Sequence, residues 1–348
     1  MVLTKRNTYV IIGTVKTKNK RNRRKNMKRI VSFILCAVML VSALAIVGCG
    51  ETKTLKFGAG SYTTVSASNA TADKAGAAEA SVTAAAVLID GNGKIVKCVI
   101  DCMQNKVQYT NAGVAVANES FKTKKELGDD YNMVTYGGAV AEWFEQVAVF
   151  ENLVVGKTLD EVKALVVDGD KGTDAVISAG CTITIVEFVK AIEKAVASAK
   201  DTKATDVKLG MYTSQETANA TVDKNGSNKV ETTIFAAAVD ANGKIANCTI
   251  DCAQVDFTFD TTGKSTFDTT AEVKTKYELG DDYNMVTYGG AVAEWYAQAD
   301  AFAAKCVGKT GAEVASLMGS DYKGVTDVQS AGCTIYVSGF VAAAAKIG

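Results

Sequence analysis

The six residues Ser-Ala-Gly-Cys-Thr-Ile occur twice in this chain, at 178–183 and again at 330–335. Small residues let a backbone approach a ligand closely. A threonine hydroxyl beside the unpaired N–H groups of a helix start can contact a phosphate or be esterified to one. Thr182 and Thr334 are therefore candidate anchors for a phosphate-bearing cofactor. In the alternative interpretation, the turn joins a strand to a helix and its threonine only caps that helix.

A second repeated segment gathers polar, aromatic and sulfur-bearing side chains. The eighteen residues at 126–143 recur without change at 278–295. The aromatic and thioether side chains in this segment, those of Tyr131, Met133, Tyr283 and Met285, are of the kind that stacks on a planar cofactor ring. The alternative is a solvated connecting loop whose tyrosine and methionine pack into the core. The sequence leaves both interpretations open.

The composition excludes several kinds of active site. The chain contains no histidine and no proline. Without histidine there is no Ser-His-Asp triad, no imidazole base and no histidine-ligated zinc or haem. Without proline, the turns must be made by glycine, asparagine and aspartate.

The cysteines recur in the same pattern in both halves. Cys98 and Cys102 lie on one face of a predicted strand and about 13 Å apart, beyond the limit of about 7 Å for a disulfide. A bridge, if one forms, is expected to join Cys181 to either of them. The alternative is that the thiols remain free as small buried hydrophobic groups. The remaining cysteines of the repeats predict a bridge from Cys333 to Cys248 or Cys252, with Cys306 left over.

The first fifty residues have the composition of a targeting segment. Residues 1–29 hold eleven Lys or Arg and no acid, and residues 30–49 hold no charge. We interpret residues 1–26 as an over-extended start and 27–48 as a lipoprotein signal peptide. The string Ile-Val-Gly-Cys at 46–49 resembles a bacterial lipobox, which implies a lipid on Cys49. The alternative is a transmembrane anchor, since eighteen apolar residues nearly span a bilayer.

Cleavage before Cys49 would change the charge of the protein. Removing the eleven basic residues of the leader from the 38 of the chain leaves 27, against 38 acidic residues, a net charge of −11. Phosphate binding depends on Lys and Arg, so this charge argues against a nucleic-acid partner. The expected location is the extracytoplasmic face of the cell membrane.

The rest of the chain is a tandem repeat of about 150 residues, too long a period for a solenoid. We predict a tether at 49–80, one domain at 81–200 and a second at 208–348. Asn-Gly dipeptides at 92–93 and 242–243 predict β-hairpins, and capping boxes at Thr158 and Thr310 predict helix starts. Thr184 and Glu187 are expected to cap the last helix of repeat one. Strands followed by helices predict an α+β fold with a small antiparallel sheet in each domain.

The repeated turn also supports a resemblance. Asp-x-Val-x-Ser-Ala-Gly-Cys-Thr-Ile at 174–183, followed by an amphipathic helix, resembles the FMN-binding domain family. That family includes one type of NADH:quinone reductase component and membrane-anchored flavin lipoproteins. The resemblance implies that a flavin transferase attaches FMN through its phosphate to the hydroxyl of Thr182 and of Thr334. Non-covalent flavin, and a fold without its cofactor, remain alternatives.

The motif departs from the family pattern in both repeats. Cys181 and Cys333 stand where the family has alanine, and the serine lies one place early. Asp174 and Asp327 are displaced from the family's upstream aspartate and do not align with each other. By resemblance and position, the residues expected at the cofactor are Tyr131, Met133, Ser178, Gly180, Cys181 and Thr182 in repeat one, and Tyr283, Met285, Ser330, Gly332, Cys333 and Thr334 in repeat two.

The sequence therefore predicts a lipid-anchored electron carrier with FMN on one or both domains, rather than a substrate-transforming enzyme. Its partners would be the membrane, a flavin transferase and a membrane redox protein. The alternative belongs to another class of protein: a non-redox surface lipoprotein whose tandem domains bind a ligand or a protein partner.

Overall fold

The computed structural model describes residues 54–347. The predicted signal peptide, the alternative start and the lipidation site at Cys49 lie outside the described residues. One compact unit comprises Lys53–Gly348. Both repeats belong to that unit.

Each repeat begins with three long antiparallel strands. Repeat one has β1 (Leu55–Ser68), β2 (Gly76–Ile89) and β3 (Ile95–Tyr109). The predicted hairpin between β2 and β3 is confirmed. The Asp90 carboxylate accepts hydrogen bonds from the N–H groups of Asn92 and Lys94 at 2.9 and 3.0 Å, which fixes the tight turn. The shorter strands of repeat one are β4 (Ala115–Val116), β5 (Val166–Val167), β6 (Lys171–Gly172) and β7 (Lys200–Thr202).

Repeat two repeats this meander with β8 (Asp206–Ala218), β9 (Gly226–Val239) and β10 (Ile245–Phe259). The helices follow the strands in both halves. Repeat one has α1 (Lys124–Leu127), α2 (Trp143–Val154), α3 (Leu159–Lys163), α4 (Asp174–Ala179) and α5 (Val186–Ala197). Repeat two has α6 (Lys276–Leu279), α7 (Trp295–Cys306), α8 (Thr326–Ser330) and α9 (Ser338–Ala344). Four 3₁₀ helices complete the described part: Gly128–Tyr131, Gly280–Tyr283, Ala312–Leu317 and Ala345–Ile347.

The helix starts show which capping predictions were right. Thr158 and Glu161 form the predicted capping box at α3. Thr310 and Glu313 make the same two reciprocal bonds, but the segment they start is a 3₁₀ helix. The predicted cap of α5 is wrong. Its N-cap is Ile185, and the carboxylate of Glu187 instead accepts the hydroxyl protons of threonines on β1 and β2.

The predicted tether at 49–80 differs from the structure over its described part. Residues 55–68 are a strand paired with β2 along its whole length, so repeat one begins near Leu55 and not at 81. Their small side chains, which suggested a linker, serve close packing. A Cβ on Gly58 would lie 1.8 Å from the carbonyl oxygen of Ala195 on α5. At the junction of the repeats, β7 ends at Thr202 and β8 begins at Asp206, inside the predicted boundary at 200–208.

Each sheet has one face covered by its own helices. In repeat one, Ile100 and Cys102 of β3 pack with Trp143, Phe150 and other residues of α2 and α5. Trp295 and Phe302 hold the same positions in repeat two. The buried apolar residues of α2 lie at helical spacing from Trp143 through Val147 to Phe150, whereas Val140 lies before the helix and is exposed.

The second face of each sheet packs on the other repeat. Three buried clusters combine residues of both repeats, among them Leu88 with Ala236 and Met103 with Ile234. At one end the rings of Tyr109 and Phe259 stack with centroids 4.4 Å apart. The order is therefore helices, sheet, sheet, helices, and the predicted α+β class is confirmed.

The contacts between the repeats occur in matching pairs. Lys194 bonds Glu278, and the equivalent Lys346 bonds Glu126 at 2.8 Å. The N–H of Ala70 donates to the carbonyl of Gly263 at 2.8 Å, and the N–H of Ala220 donates to the carbonyl of Gly113 at the same distance. These reciprocal bonds relate the repeats by a pseudo-twofold axis. Across 54–347, no helix has both the length and the apolar character needed to cross a membrane.

Candidate functional site

The repeated turn does not lie where the sequence predicted. It follows the short helix α4, which ends at Gly180 in a left-handed conformation with φ of 112°. Such a φ favours glycine and closes the helix. Gly332 has the same role at the end of α8, with φ of 107°. Thr182 therefore lies between two helices and before the N-cap of α5, so the prediction of a strand-to-helix junction is wrong.

Thr182 is held by one buried side chain. The backbone N–H of Thr182 donates to Gln146 Oε1 at 2.8 Å, and its hydroxyl donates to the same oxygen at 3.0 Å. Gln146 is fully buried on α2, and its Nε2 donates to the carbonyl of Ala141 at 2.9 Å. The amide of Gln146 thus links the turn to the chain that precedes α2.

Repeat two contains the same arrangement at nearly the same distances. The N–H and hydroxyl of Thr334 donate to Gln298 Oε1 at 2.9 and 3.1 Å. Gln298 Nε2 donates to the carbonyl of Ala293 at 2.8 Å. Since both repeats contain it, the arrangement does not depend on the local differences between them.

The glutamine is a site residue that sequence reasoning missed, although the sequence carries a signal for it. Between α2 and α7, only three of twelve positions are unchanged: tryptophan, glutamine and phenylalanine. The two aromatic residues belong to the core in both repeats. The glutamine alone is polar, and its retention is explained by its bonds to the threonine of the turn.

The other residues of the turn divide into buried and exposed groups. Cys181 and Cys333 are fully buried against the helices, and burial raises the pKa of each thiol to about 11. Both thiols are therefore protonated at neutral pH and have no open path to a cofactor. Ser178 and Ser330 are exposed. Thr182 is exposed and Thr334 is half-buried, so both residues reach the surface.

The predicted ring-stacking residues lie mostly within the fold. Tyr131 is half-buried, and its hydroxyl donates to Gln104 Oε1 at 3.2 Å, while Lys124 lies 5.1 Å from its ring centre. Tyr283 has the equivalent bond to Gln254 at 3.1 Å. The methionines Met133 and Met285 pack against the two cores. Of the two interpretations left open, the structure supports packing into the core.

The exposed part of this repeated segment comes a few residues later. Tyr136 and Tyr288 are 86% and 85% exposed, and Val140 and Val292 are 55% and 71% exposed. The segment's base is fixed by Glu142, whose carboxylate accepts the N–H groups of Met133 and Val134 at 2.9 and 3.0 Å. Gln146 joins this segment, through Ala141, to Thr182. In each repeat the segment that carries the exposed tyrosine is therefore bonded, through a buried glutamine, to the threonine of the turn.

The cysteines do not form the predicted bridges. All seven cysteines within 54–347 are free thiols in the structure. Cys248 and Cys306 are neighbours instead: the Cys306 thiol, together with burial, raises the pKa of Cys248. Each thiol donates to a backbone carbonyl at 3.4 Å, that of Ala303 and that of Phe302 respectively. The sequence analysis gave Cys306 no partner, because only the folded structure shows that α7, which carries Cys306, packs against β10.

These residues fit a cofactor that is bonded to the threonine and lies on the surface. Both threonines reach the surface, and the segment that carries an exposed tyrosine is bonded to each turn through a glutamine. A cleft of about 650 Å³ lies elsewhere, along β1. Comparisons with protein-family models, curated proteins and solved structures found no match.

Proposed function

We propose that this protein is a lipid-anchored, extracytoplasmic electron carrier with FMN esterified to Thr182 and Thr334. The observation that carries the proposal is the pair of surface threonines, each fixed by a buried glutamine. When bound, FMN supplies one- or two-electron transfer. The lipid on Cys49 would keep the protein near a membrane redox partner.

The chain's own residues would orient the acceptor and preserve the turn. Gln146 Oε1 holds the backbone N–H of Thr182, so the turn keeps its position when the hydroxyl loses its proton on esterification. The ring of Tyr136 is free to lie against a planar group because it is not committed to the core. Tyr288 is equally free in repeat two. The departure of the motif from the family pattern makes recognition by the transferase the step to be tested.

The experiment is to express the full chain in a host that has the flavin transferase and to denature the purified protein. We expect a flavin absorbance that stays with the denatured chain and falls by half in each of Thr182→Ala and Thr334→Ala. Thr184→Ala is the matched control, since this exposed threonine lies two residues from the acceptor and should retain the full signal. A colourless wild-type protein would overturn the proposal.

The second candidate function is that of a non-redox surface lipoprotein. It is favoured by the use that the fold already makes of both threonine hydroxyls, each of which donates to a glutamine. In that case Thr182→Ala and Thr334→Ala would alter stability alone. The same denaturation experiment separates the two candidates.

A further inference from the structure

A cleft runs along β1 and has no part in the proposed flavin sites. Its volume is about 650 Å³. One wall is formed by α5 and the opposite wall by residues 269–272 of repeat two. The floor is the stretch of β1 from Tyr62 to Val65.

This stretch of β1 is an open sheet edge. The neighbouring strand β7 pairs only with residues 55–57 of β1. Next along β1, the backbone groups of Ala59 are bonded to Ser198. Its Oγ accepts a hydrogen bond from the N–H of Ala59 at 3.1 Å and donates one to the carbonyl of Ala59 at 2.8 Å. Alternate residues of a strand direct their N–H and C=O groups to the same side. The outward groups of Thr63 and Val65 therefore face the cleft, and within 54–347 no hydrogen-bond partner satisfies them.

A buried hydroxyl in the cleft also lacks a partner. Thr63 is 8% exposed, and its Oγ1 has no hydrogen-bond partner among the described residues. A buried hydroxyl without a partner costs free energy, since it has lost water and gained nothing. A ligand that supplies a donor or an acceptor at this point would remove that cost.

The equivalent edge in repeat two, that of β8, is bonded to a loop of repeat one. The comparison identifies bonds that the edge of β1 does not make. Gln215 on β8 corresponds to Val65: Gln215 pairs with Val230, the fifth residue of β9, and Val65 pairs with Ala80, the fifth residue of β2. Gln215 Nε2 donates to the carbonyl of Val116 at 3.0 Å, and Gln215 Oε1 accepts the N–H of Asn118 at 2.7 Å. The amide of Gln215 thus joins β8 to the loop of repeat one.

Val65 has no polar side-chain atom to make such bonds, and the facing loop is built differently. From the end of the third strand to the capping threonine, repeat two has seventeen residues, Phe259 to Thr275, where repeat one has fifteen, Tyr109 to Thr123. In the longer loop the polar groups bond each other. Asp268 Oδ1 accepts both the N–H and the hydroxyl of Thr270, at 2.8 and 2.7 Å. The loop therefore leaves the edge of β1 open.

The charges of the cleft suggest which side chain its ligand carries. Lys190 Nζ donates to the hydroxyl of Tyr62 at 2.9 Å and has no carboxylate partner within the described chain. The other charged residues on the same wall are neutralised: Lys194 pairs with Glu278, and Glu193 pairs with Lys163. Glu272 lies on the opposite, exposed wall. A carboxylate is therefore favoured only on the side of α5.

We propose that this cleft binds an extended peptide segment as an added strand on β1, with an acidic side chain of the peptide facing Lys190. Main-chain bonds to Thr63 and Val65 would supply affinity, and alternate side chains would supply specificity. The pairing removes both the open edge and the unsatisfied hydroxyl. It does not depend on whether FMN is attached at the two turns.

The test uses the full mature chain and a labelled pentapeptide of sequence Thr-Val-Glu-Val-Thr, blocked at both ends. Binding is followed by fluorescence anisotropy, and its location by hydrogen exchange of the β1 segment. Val65→Gln, which copies repeat two, is expected to weaken binding at least tenfold. Lys190→Met is expected to weaken it severalfold and to abolish the preference over a peptide with lysine at the central position. Thr269→Ser, which keeps a small hydroxyl in the loop, is the matched control.

The decisive comparison is with Thr-Pro-Glu-Pro-Thr, which has the same charge but lacks two backbone donors. We expect it to bind much more weakly and to leave exchange of residues 59–68 unchanged. Equal binding of the two peptides would overturn strand addition. Absence of binding at millimolar peptide, or unchanged affinity in Val65→Gln, would overturn the site itself. If Val65→Gln fails to fold, Lys190→Met and the proline peptide still decide the outcome.

Discussion

At the scale of single residues, the bond from a buried glutamine to the threonine of the turn is the feature that both repeats keep. Gln146 and Gln298 are fully buried polar side chains, and in each the amide oxygen and the amide nitrogen both have hydrogen-bond partners. Such groups are costly to remove, since their partners are then left without hydrogen bonds. The threonine hydroxyl contributes less, because it is at or near the surface.

Replacing the glutamine and the threonine should therefore have unequal effects. We expect Gln146→Ala to lower the free energy of unfolding by about 2–3 kcal/mol, from a cavity and an unsatisfied N–H. Thr182→Ala should lower it by about 1 kcal/mol or less, because the backbone bond to Gln146 remains. Urea unfolding of both variants measures the difference. Equal losses would contradict the assignment of Gln146 as the residue that holds the turn.

A second residue-scale feature is a buried carboxyl that differs between the repeats. Asp251 Oδ1 accepts the N–H groups of Cys252 and Tyr277 at 2.7 and 3.2 Å. Burial raises the pKa of Asp251 to about 6. Burial also raises the pKa of the equivalent Asp101, but the nearby Lys125 opposes that rise. Repeat two has Tyr277 in place of this lysine, so its carboxylate has no cation beside it.

The raised pKa of Asp251 predicts a pH dependence of stability. An unfolded aspartate has a pKa of about 3.9, so between about pH 4 and 6 the folded protein holds a proton that the unfolded chain has released. The free energy of unfolding should therefore rise as pH falls through this window. Asp251→Asn keeps an oxygen for both N–H bonds. It should flatten this slope and add about 1–2 kcal/mol of stability at pH 7.5.

Urea unfolding at several pH values tests this expectation, with Asp101→Asn as the matched control. The free energy of unfolding of Asp101→Asn should increase less at pH 7.5, because Lys125 already stabilises the carboxylate of Asp101. A slope in Asp251→Asn equal to that of the wild type would show that another group titrates.

At the scale of secondary structure, the close contact between the last helix and the first strand of a repeat determines which residues are small. Gly58 and Gly60 on β1 lie under α5, and Gly210 on β8 lies under α9, where a Cβ added to it would be 2.1 Å from the carbonyl oxygen of Ala343. A side chain at these positions would push the helix off the sheet. The glycine-rich start of each repeat is therefore part of the fold.

Gly58→Ala is expected to be strongly destabilising, by about 3 kcal/mol or more, because the new methyl group meets backbone atoms that cannot rotate away. Gly91→Ala is the matched control. That glycine lies in the first hairpin turn with no atom near its Cβ position. Thermal unfolding should show a large loss for Gly58→Ala and little change for the control. A small loss for Gly58→Ala would mean that α5 packs less closely on β1 than these contacts require.

The pair of thiols between β10 and α7 is a further contact between elements. Cys248 is half-buried and Cys306 is fully buried. Oxidised glutathione is expected to react first at Cys248 and then at Cys306, so that two thiols become one disulfide and two molecules of reduced glutathione leave. The bridge closes a loop of about 58 residues and should stabilise the fold by up to about 4 kcal/mol.

Peptide mass mapping without reduction identifies this bridge. Repeat one offers the matched control, since Cys98 there faces a region in which Val154 replaces the second cysteine. Cys306→Val should prevent the bridge, whereas Val154→Cys should allow a second one. Oxidation that joins Cys333 to Cys248 or Cys252 would support the pairing predicted from the sequence instead.

Local signals in the sequence identified some of these elements and missed others. The Asn-Gly hairpins and the capping box at Thr158 depend on neighbours within five residues, so they could be predicted. The strand β1 could not, because its small residues resemble a linker until α5 is placed over them. Likewise the turn at 178–183 was recognised by its composition, but its glutamine partner lies 36 residues away on α2.

At the scale of the whole molecule, the two repeats form one unit in which each completes the other. The inner face of each sheet is apolar, with alanines such as Ala84, Ala86, Ala236 and Ala238 at the interface. The reciprocal ion pairs of Lys194 with Glu278 and Lys346 with Glu126 fix the two halves in register. The two repeats thus share a buried core between their sheets, in addition to the core that each forms with its own helices. The candidate turns belong to the outer, helical layers, one in each repeat.

The intact mass of the mature protein from its native source tests the central claim most directly. The account predicts a mass equal to the polypeptide from Cys49, its lipid and two FMN groups, one lost with each of Thr182→Ala and Thr334→Ala. A mass that corresponds to polypeptide and lipid alone would contradict it.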